Sequence, residues 1–399
     1  MALLTAAGTV PRAAVEGVMF FGELGLDGRL RPVRGVLPAV AAAAEKGFAR
    51  VMVARQNAPE AVLVPGVRVI AASSLTAAVD WLRGMPGRHS GPPAAEFEGG
   101  QALPDGQAVD GHRRGTGAVS GDQVWRANDP DTAATPDLAE LLGQSMARRA
   151  AEVCAAGGHH LSLLGPPGAG KTMLAERIPT ILPRLDIAAA LEVTAIHSVA
   201  GTLPPQVPLL TDPPFMAPHH TATKAAIVGG GSGIILPGSA SLAHRGVLFL
   251  DEAPEFAKDV LDALRQPLEA GEVVVARLGV ITRFPAKFTV VLAANPCPCA
   301  KVAGSVSGCS CSPTTRRRYL GRISGPLLDR VDVKVELEPV SRQELLNDRN
   351  FAESSRTVAQ RVARARERAA HRLRGTPWRL NAEIPGSELR RTWPAAPGH

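Results

Sequence analysis

The chain has 399 residues, 45% hydrophobic and 20% charged, a balance that allows two to three domains and excludes a disordered or membrane-spanning protein. Its net charge of +7 favours an anionic partner without saying which. Five cysteines are too few for a secreted disulfide scaffold. The longest apolar runs, such as Ala39 to Ala44, fall far short of the ~20 residues that cross a bilayer, so neither a transmembrane helix nor a membrane partner is expected. No positive charge precedes the short apolar stretch at the N-terminus, which argues against a secretory signal and for the cytoplasm.

Residues 1–83 read as a small α/β unit. Val18 to Phe21, Arg50 to Ala54 and Val67 to Ile70 have strand patterns, and Leu37 to Lys46 and Leu75 to Leu82 have helical ones. From 84 to 135 the pattern dissolves into Gly, Pro, Asp and Ser, and a flexible linker is expected.

Beyond Pro136 the expected order is a helix (Asp137 to Ala156), a strand (His160 to Leu164), a glycine loop and a helix (Lys171 to Leu182). Strands at Val247 to Leu250, Phe288 to Ala293 and Val331 to Leu337 follow. Alternating strands and helices predict an α/β fold, a parallel sheet with helices on both faces, over 136–340. A further helix is expected from Ser354 to Arg374. From Ser354 to Arg374, Val358, Val362, Ala365, Ala369 and Leu373 form an apolar stripe, and Arg361, Arg364, Arg368 and Arg372 line the other side. Seven arginines and one glutamate between Arg356 and Arg374 can neutralise phosphates, or simply form a solvated helix face. Arg316, Arg317 and Arg318 make a second basic cluster.

Gly165, Pro166, Pro167, Gly168, Ala169, Gly170, Lys171 and Thr172 match G-x-x-x-x-G-K-[ST] between an apolar strand and a helix. The glycines let backbone N–H groups curl around phosphate oxygens, Lys171 reaches the β and γ phosphates, and Thr172 offers a hydroxyl to Mg²⁺. ATP and Mg²⁺ are therefore the expected cofactors. Val247 to Leu250 ends in Asp251 and Glu252 at the edge where parallel sheets bind ligands. Asp251 is suited to the Mg²⁺ shell and Glu252 to polarising the attacking water. A further strand ends in Asn295, a candidate γ-phosphate sensor whose plain alternative is a strand-end cap. Arg330 is a candidate arginine finger reaching a neighbouring subunit's site. The alternative is a structural pair with Asp329 or Asp332, and Arg322 is the second candidate. Cys297, Cys299, Cys309 and Cys311 form two C-x-C turns whose four thiolates suit a closed, structural Zn²⁺, with free loop thiols or a redox role as the alternatives. Cys154 reads as a core residue.

These motifs, with Pro218-His219-His220-Thr221, Gly229 to Gly233, Ser241 to Gly246, Asn295 to Cys299 and Arg318 to Arg330, resemble the magnesium-chelatase-like AAA+ ATPases, in particular the ComM/YifB branch, over Asp137 to Pro385. Residues 1–83, with Phe20 to Gly35, look like the second half of that branch's N-terminal domain, similar in fold to the Lon protease domain. The resemblance implies a P-loop AAA+ core at 136–340 with a cysteine-pair insert at 297–311, a partial N-terminal domain at 1–83 and a partial helical lid at 341–399. Family members usually extend beyond the equivalents of Met1 and His399, so both ends are expected to be truncated. It also implies a hexameric ring with ATP between subunits, Arg330 acting in trans, and branch migration of DNA junctions in recombination and natural transformation. Lys224, His219 and His220 would then be candidate DNA contacts near the pore. The alternative is a chelatase-type or other protein-remodelling subunit that does not act on DNA. A Lon-type peptidase is disfavoured, because 1–83 holds one lysine, Lys46, and no serine before Ser73.

Overall fold

The computed structural model describes residues 1–85, 92–100, 136–204, 207–231, 233–277, 280–299, 309–348 and 352–393. They form two compact units, the first drawn from Met1–Ala118 and Asp186–Thr211, the second from Val119–Leu185 and Asp212–His399.

The first unit centres on a sheet in the order Val18–Phe21, Arg50–Ala54, Arg68–Ala72, Ala95–Glu98. The first three strands are parallel and the fourth is antiparallel to its neighbour. Helix Val36–Glu45 buries Val36, Leu37, Val40 and Ala43, a helical spacing, against Val51, Val53 and Val69. Helix Leu75–Leu82 packs Ala78 and Leu82 with Met52 and Ile70. Its start is capped by Ser74, whose hydroxyl accepts from Ala77 N at 3.1 Å.

Two expectations about the first unit need correction. Strand Ala95–Glu98 lies inside the stretch read as a linker, and Trp81 Nε1 donates to its Glu96 at 2.6 Å. A four-residue strand between Gly- and Pro-rich flanks carries too short an alternation to stand out. Residues 86–91 and 101–135 of that stretch lie outside the described residues. Secondly, helix Ile187–Ala200, inside the segment assigned to the ATPase core, belongs to the first unit. Ser198 Oγ donates to Glu60 Oε2 at 2.6 Å, and Asn57 Nδ2 donates to Glu60 Oε1 at 2.7 Å. Asn57 also bonds Val33 N and O, so a buried carboxylate has a partner on each oxygen. This helix was not predicted, because its apolar residues surround it instead of forming one stripe.

The second unit is a five-stranded parallel sheet in the order Val333–Glu336, Leu161–Leu164, Thr289–Ala294, Val247–Leu250, Phe215–Met216. Helices flank it. Ser145–Gly157, Lys171–Ile181 and Ser355–Arg372 bury Ala151, Cys154, Leu174, Ile178, Val358 and Val362 on Leu161, Leu163, Phe249 and Val291. Cys154 is thus a core residue, and burial pushes its thiol up to about 12. The single helix expected over Asp137 to Ala156 is instead a short turn, Leu138–Glu140, and the helix Ser145–Gly157. Gly143 at φ +70° and Gln144 at φ +52° break it between the two. A further hairpin, Glu272–Arg277 with Val280–Pro285, was not foreseen.

Candidate nucleotide site

In a parallel sheet every strand points its C-terminal end the same way, so the loops after Leu164, Leu250 and Ala294 share one edge. Register holds them together. Ala294 pairs with Leu164, and Gly165 N donates to Ala294 O at 3.1 Å. A Cβ on Gly165 would lie 2.7 Å from Leu337 O, so only glycine fits there. Gly170, at φ +90°, turns the loop into helix Lys171–Ile181.

The side chains that the sequence singled out converge at this edge. Lys171 Nζ donates to Gly165 O at 2.7 Å, Pro166 O at 2.9 Å and Asn295 Oδ1 at 3.1 Å, which uses all three of its N–H donors. Burial pulls its ammonium below the usual lysine range, against the opposing pull of Asp251 and Glu252. Thr172 Oγ1 donates to Asp251 Oδ2 at 2.8 Å. A hydroxyl and a carboxylate in contact are the oxygen donors that a hard divalent cation takes, so these two residues fit Mg²⁺. Thr172, Asp251 and Glu252 line an open cleft of about 260 Å³ with Glu176, Phe215 and His220. Asn295 is buried, and burial pushes the Tyr319 hydroxyl up to about 12. At the opposite end of the same strands, away from this edge, His160 accepts from Val290 N at 3.1 Å, and burial lowers it to about 4.

The four cysteines of the two C-x-C turns also converge. Their sulfurs all lie within 4.8 Å of one another, with Cys297 at 3.2 Å from Cys299 and from Cys309. A tetrahedron with Zn–S of about 2.3 Å needs sulfurs roughly 3.8 Å apart, so the set fits one zinc. Arg316 Nη2 donates to Cys309 Sγ at 3.5 Å. Cys297 follows Asn295 by two residues, so this cluster sits directly behind the predicted sensor.

Other candidates take different partners from those expected. Arg330 pairs with Glu269 at 2.5 Å, not with Asp329 or Asp332, while Asp332 meets His159 at 3.0 Å. Arg322 pairs with Glu255 at 3.0 Å. His219 bonds Thr221, and His220 lies 3.3 Å from Glu252. Lys224 is exposed. The basic helix is only partly a free surface. Arg361 is held by Glu152 and Glu353, Arg366 donates to Ala155 O, and Arg372 bonds Asn381 and lies over Trp393. Arg356, Arg364, Arg368 and Arg374 are exposed. The sequence reading missed the place of His220 beside Glu252. The signal was there in the apolar pair Phe215–Met216, whose strand sets that register.

A P-loop, a strand-end Asp-Glu pair and a third strand's polar end on one edge of a five-stranded parallel sheet define a P-loop ATPase of the AAA+ class. The family described as magnesium chelatase, subunit ChlI, matches residues 137–345, and that described as subunit ChlI of Mg-chelatase matches 1–57. An uncharacterised Mycobacterium tuberculosis protein is 48% identical over 390 residues, covering 98% of this chain and 70% of its own length. Competence protein ComM of Haemophilus influenzae is 37% identical over 390 residues, and YifB of Escherichia coli 38% over 391. Each alignment covers 98% of this chain and 69% of the relative. The chain belongs to the magnesium-chelatase-like AAA+ ATPases, in their ComM/YifB branch. No helix among the described residues is long and apolar enough to cross a membrane.

Proposed function

We propose that the protein hydrolyses ATP as a hexameric ring and couples the cycle to remodelling of DNA, branched DNA in particular. The observation that carries this reading is the meeting of Lys171, Thr172, Asp251, Glu252 and Asn295 at one sheet edge. On nucleotide binding Lys171 exchanges a backbone carbonyl for phosphate oxygens, and the N–H groups of Gly168, Ala169 and Gly170 cradle the same phosphates. Thr172 and Asp251 would hold Mg²⁺, which would supply electrostatic stabilisation of phosphate charge. Glu252 accepts a proton from the attacking water, and Asn295 orients toward the γ-phosphate. Arg330 and Glu269 are half-exposed and form a surface pair of small worth, which leaves Arg330 available to a neighbouring subunit's phosphates. The four cysteines hold one structural Zn²⁺, a ligand set that suits the reducing cytoplasm. Metal analysis of the purified protein should give one zinc per chain, lost in Cys297→Ser/Cys309→Ser.

The DNA reading is supported by the net charge of +7 and by exposed Arg356, Arg364, Arg368 and Arg374. The name competence protein of the Haemophilus influenzae relative points the same way. The described family, a magnesium chelatase subunit, favours a second reading, a protein-remodelling subunit that does not touch DNA. ATP hydrolysis measured with and without a four-way DNA junction separates them. Stimulation that vanishes in Lys171→Ala supports the DNA motor, and hydrolysis indifferent to every DNA supports a protein partner.

A further inference from the structure

The break between the turn Leu138–Glu140 and the helix Ser145–Gly157 reaches the P-loop. Gln144, at the break, has φ +52° and ψ +39° and is one of three non-glycine residues at positive φ among those described. A left-handed glutamine is uncommon, and such a conformation persists where the surroundings over-determine it, most often at functional sites. Here they do so from the preceding residue. Gly143 N donates to Asp348 Oδ2 at 2.7 Å, and Arg148 Nη2 bonds both oxygens of the same carboxylate at 2.7 and 2.6 Å. A Cβ on Gly143 would lie 2.5 Å from Val340 Cγ1, so the turn is packed from behind as well.

This turn brings the Gln144 side chain to the loop. Its Nε2 carries two N–H groups and directs both at backbone carbonyls, Ala169 O at 3.2 Å and Glu338 O at 2.6 Å. Ala169 O belongs to the peptide between Ala169 and Gly170. In a trans peptide the carbonyl and the N–H point in opposite directions, so holding Ala169 O from one side aims the N–H of Gly170 at the other. The loop has few N–H groups to offer a ligand: Pro166 and Pro167 have none, and that of Gly165 donates to Ala294 O at 3.1 Å. Leu141 lies close to the same peptide, since a Cβ on Gly170 would come within 2.8 Å of its Cδ1.

We infer that Gln144 is a positioning residue of the nucleotide site: its amide pins the Ala169–Gly170 peptide with the N–H toward the bound phosphates. The inference rests on the reading of residues 165–172 as the phosphate-binding loop. A peptide next to glycine turns over at low steric cost, because glycine takes positive and negative φ about equally well. Turned over, this one would present a carbonyl oxygen to a phosphate and replace an attraction by a repulsion. Gln144 removes that alternative before nucleotide arrives, the kind of preorganisation that lowers the ordering cost of binding. Its second bond, to Glu338 O, ties the same amide to the segment after strand Val333–Glu336. The loop is thus held from the sheet as well as from the turn.

The test is calorimetric binding of ADP and of tripolyphosphate, which carries the phosphates and no base. Gln144→Met keeps the length of the side chain and has no N–H to donate. Gln144→Gly lacks the donor too, but glycine is at ease at positive φ, so the turn is kept. Both variants should lower ADP affinity about tenfold, the order expected when a hydrogen bond to a charged group is lost. Tripolyphosphate affinity should fall by the same factor, because the base takes no part. A role confined to the backbone of the turn would leave Gln144→Gly at wild-type affinity, and a contact with the base would leave tripolyphosphate binding unchanged; either result overturns the inference. So does failure of both variants to fold, judged by melting without nucleotide, since Gln144 would then hold the fold and not the loop; if one variant folds, its affinities decide. A wild-type chain that does not bind ADP brings down the reading of the loop and this inference with it. A wild-type chain that binds ADP, matched by both variants, brings down the inference alone.

Discussion

The sheet edge and the helix Ser355–Arg372 both looked functional in the sequence, and they differ in what fixes their side chains. At the edge, three strand ends in parallel register leave Lys171, Thr172, Asp251 and Asn295 within hydrogen-bond distance of one another in pairs. On the helix the signal was a count of arginines, and three of the seven are spent on the protein itself. Spacing tied to a backbone conformation predicts geometry; charge count predicts only a field. A basic stripe has to be read residue by residue before it is assigned to a polyanion.

This contrast can be broken or sharpened by mutation. The largest effect is expected at the edge. Asn295→Ala should lower kcat roughly 100-fold or more, the usual cost of losing one group aimed at transition-state charge, with nucleotide affinity retained. Steady-state kinetics beside ADP titration check it. A smaller effect is expected on the helix, where replacing Arg356, Arg364, Arg368 and Arg374 by Ala should weaken duplex DNA binding. The slope of log K against log salt should fall by about 3–4, because each phosphate neutralised contributes about 0.9. Arg361→Ala should leave that slope alone.

The smallest effect belongs to the stability of the same helix. Arg361→Ala should cost about 1 kcal/mol at neutral pH, a modest value because the pair is partly exposed. The hydrogen bond from Arg361 holds the Glu152 and Glu353 carboxylates below the usual range. A depressed folded value stabilises above the unfolded carboxylate range and loses that contribution as pH falls through the folded value. Denaturation of wild type and Arg361→Ala should therefore converge as pH drops below about 4.5. A difference that stays constant from neutral to acidic pH contradicts the ion-pair account.

Much of the second unit was legible in advance. Val247 to Leu250 and its two carboxylates, the P-loop and the cysteine pairs each announce themselves through local chemistry at fixed spacing. What stayed hidden depends on contacts remote in sequence. Helix Ile187–Ala200 has apolar residues all round, and its membership of the first unit is set by Ser198 on Glu60, 138 residues away in the chain. Strand Ala95–Glu98 gains its identity only by pairing with Arg68–Ala72. Arg330 offered two near aspartates in sequence, but the fold gave it Glu269, across 61 residues. His219 and His220 read alike as adjacent polar residues, and only the fold gives them different neighbours.

The central claim is that this edge binds and hydrolyses ATP with a division of labour between Lys171 and Glu252. Its most direct test is ATP binding and single-turnover hydrolysis measured on wild type, Lys171→Ala and Glu252→Gln. The account predicts that Lys171→Ala loses ATP binding, whereas Glu252→Gln binds ATP as wild type does and fails to turn it over. Turnover at the wild-type rate in Glu252→Gln, or undiminished binding in Lys171→Ala, would contradict it.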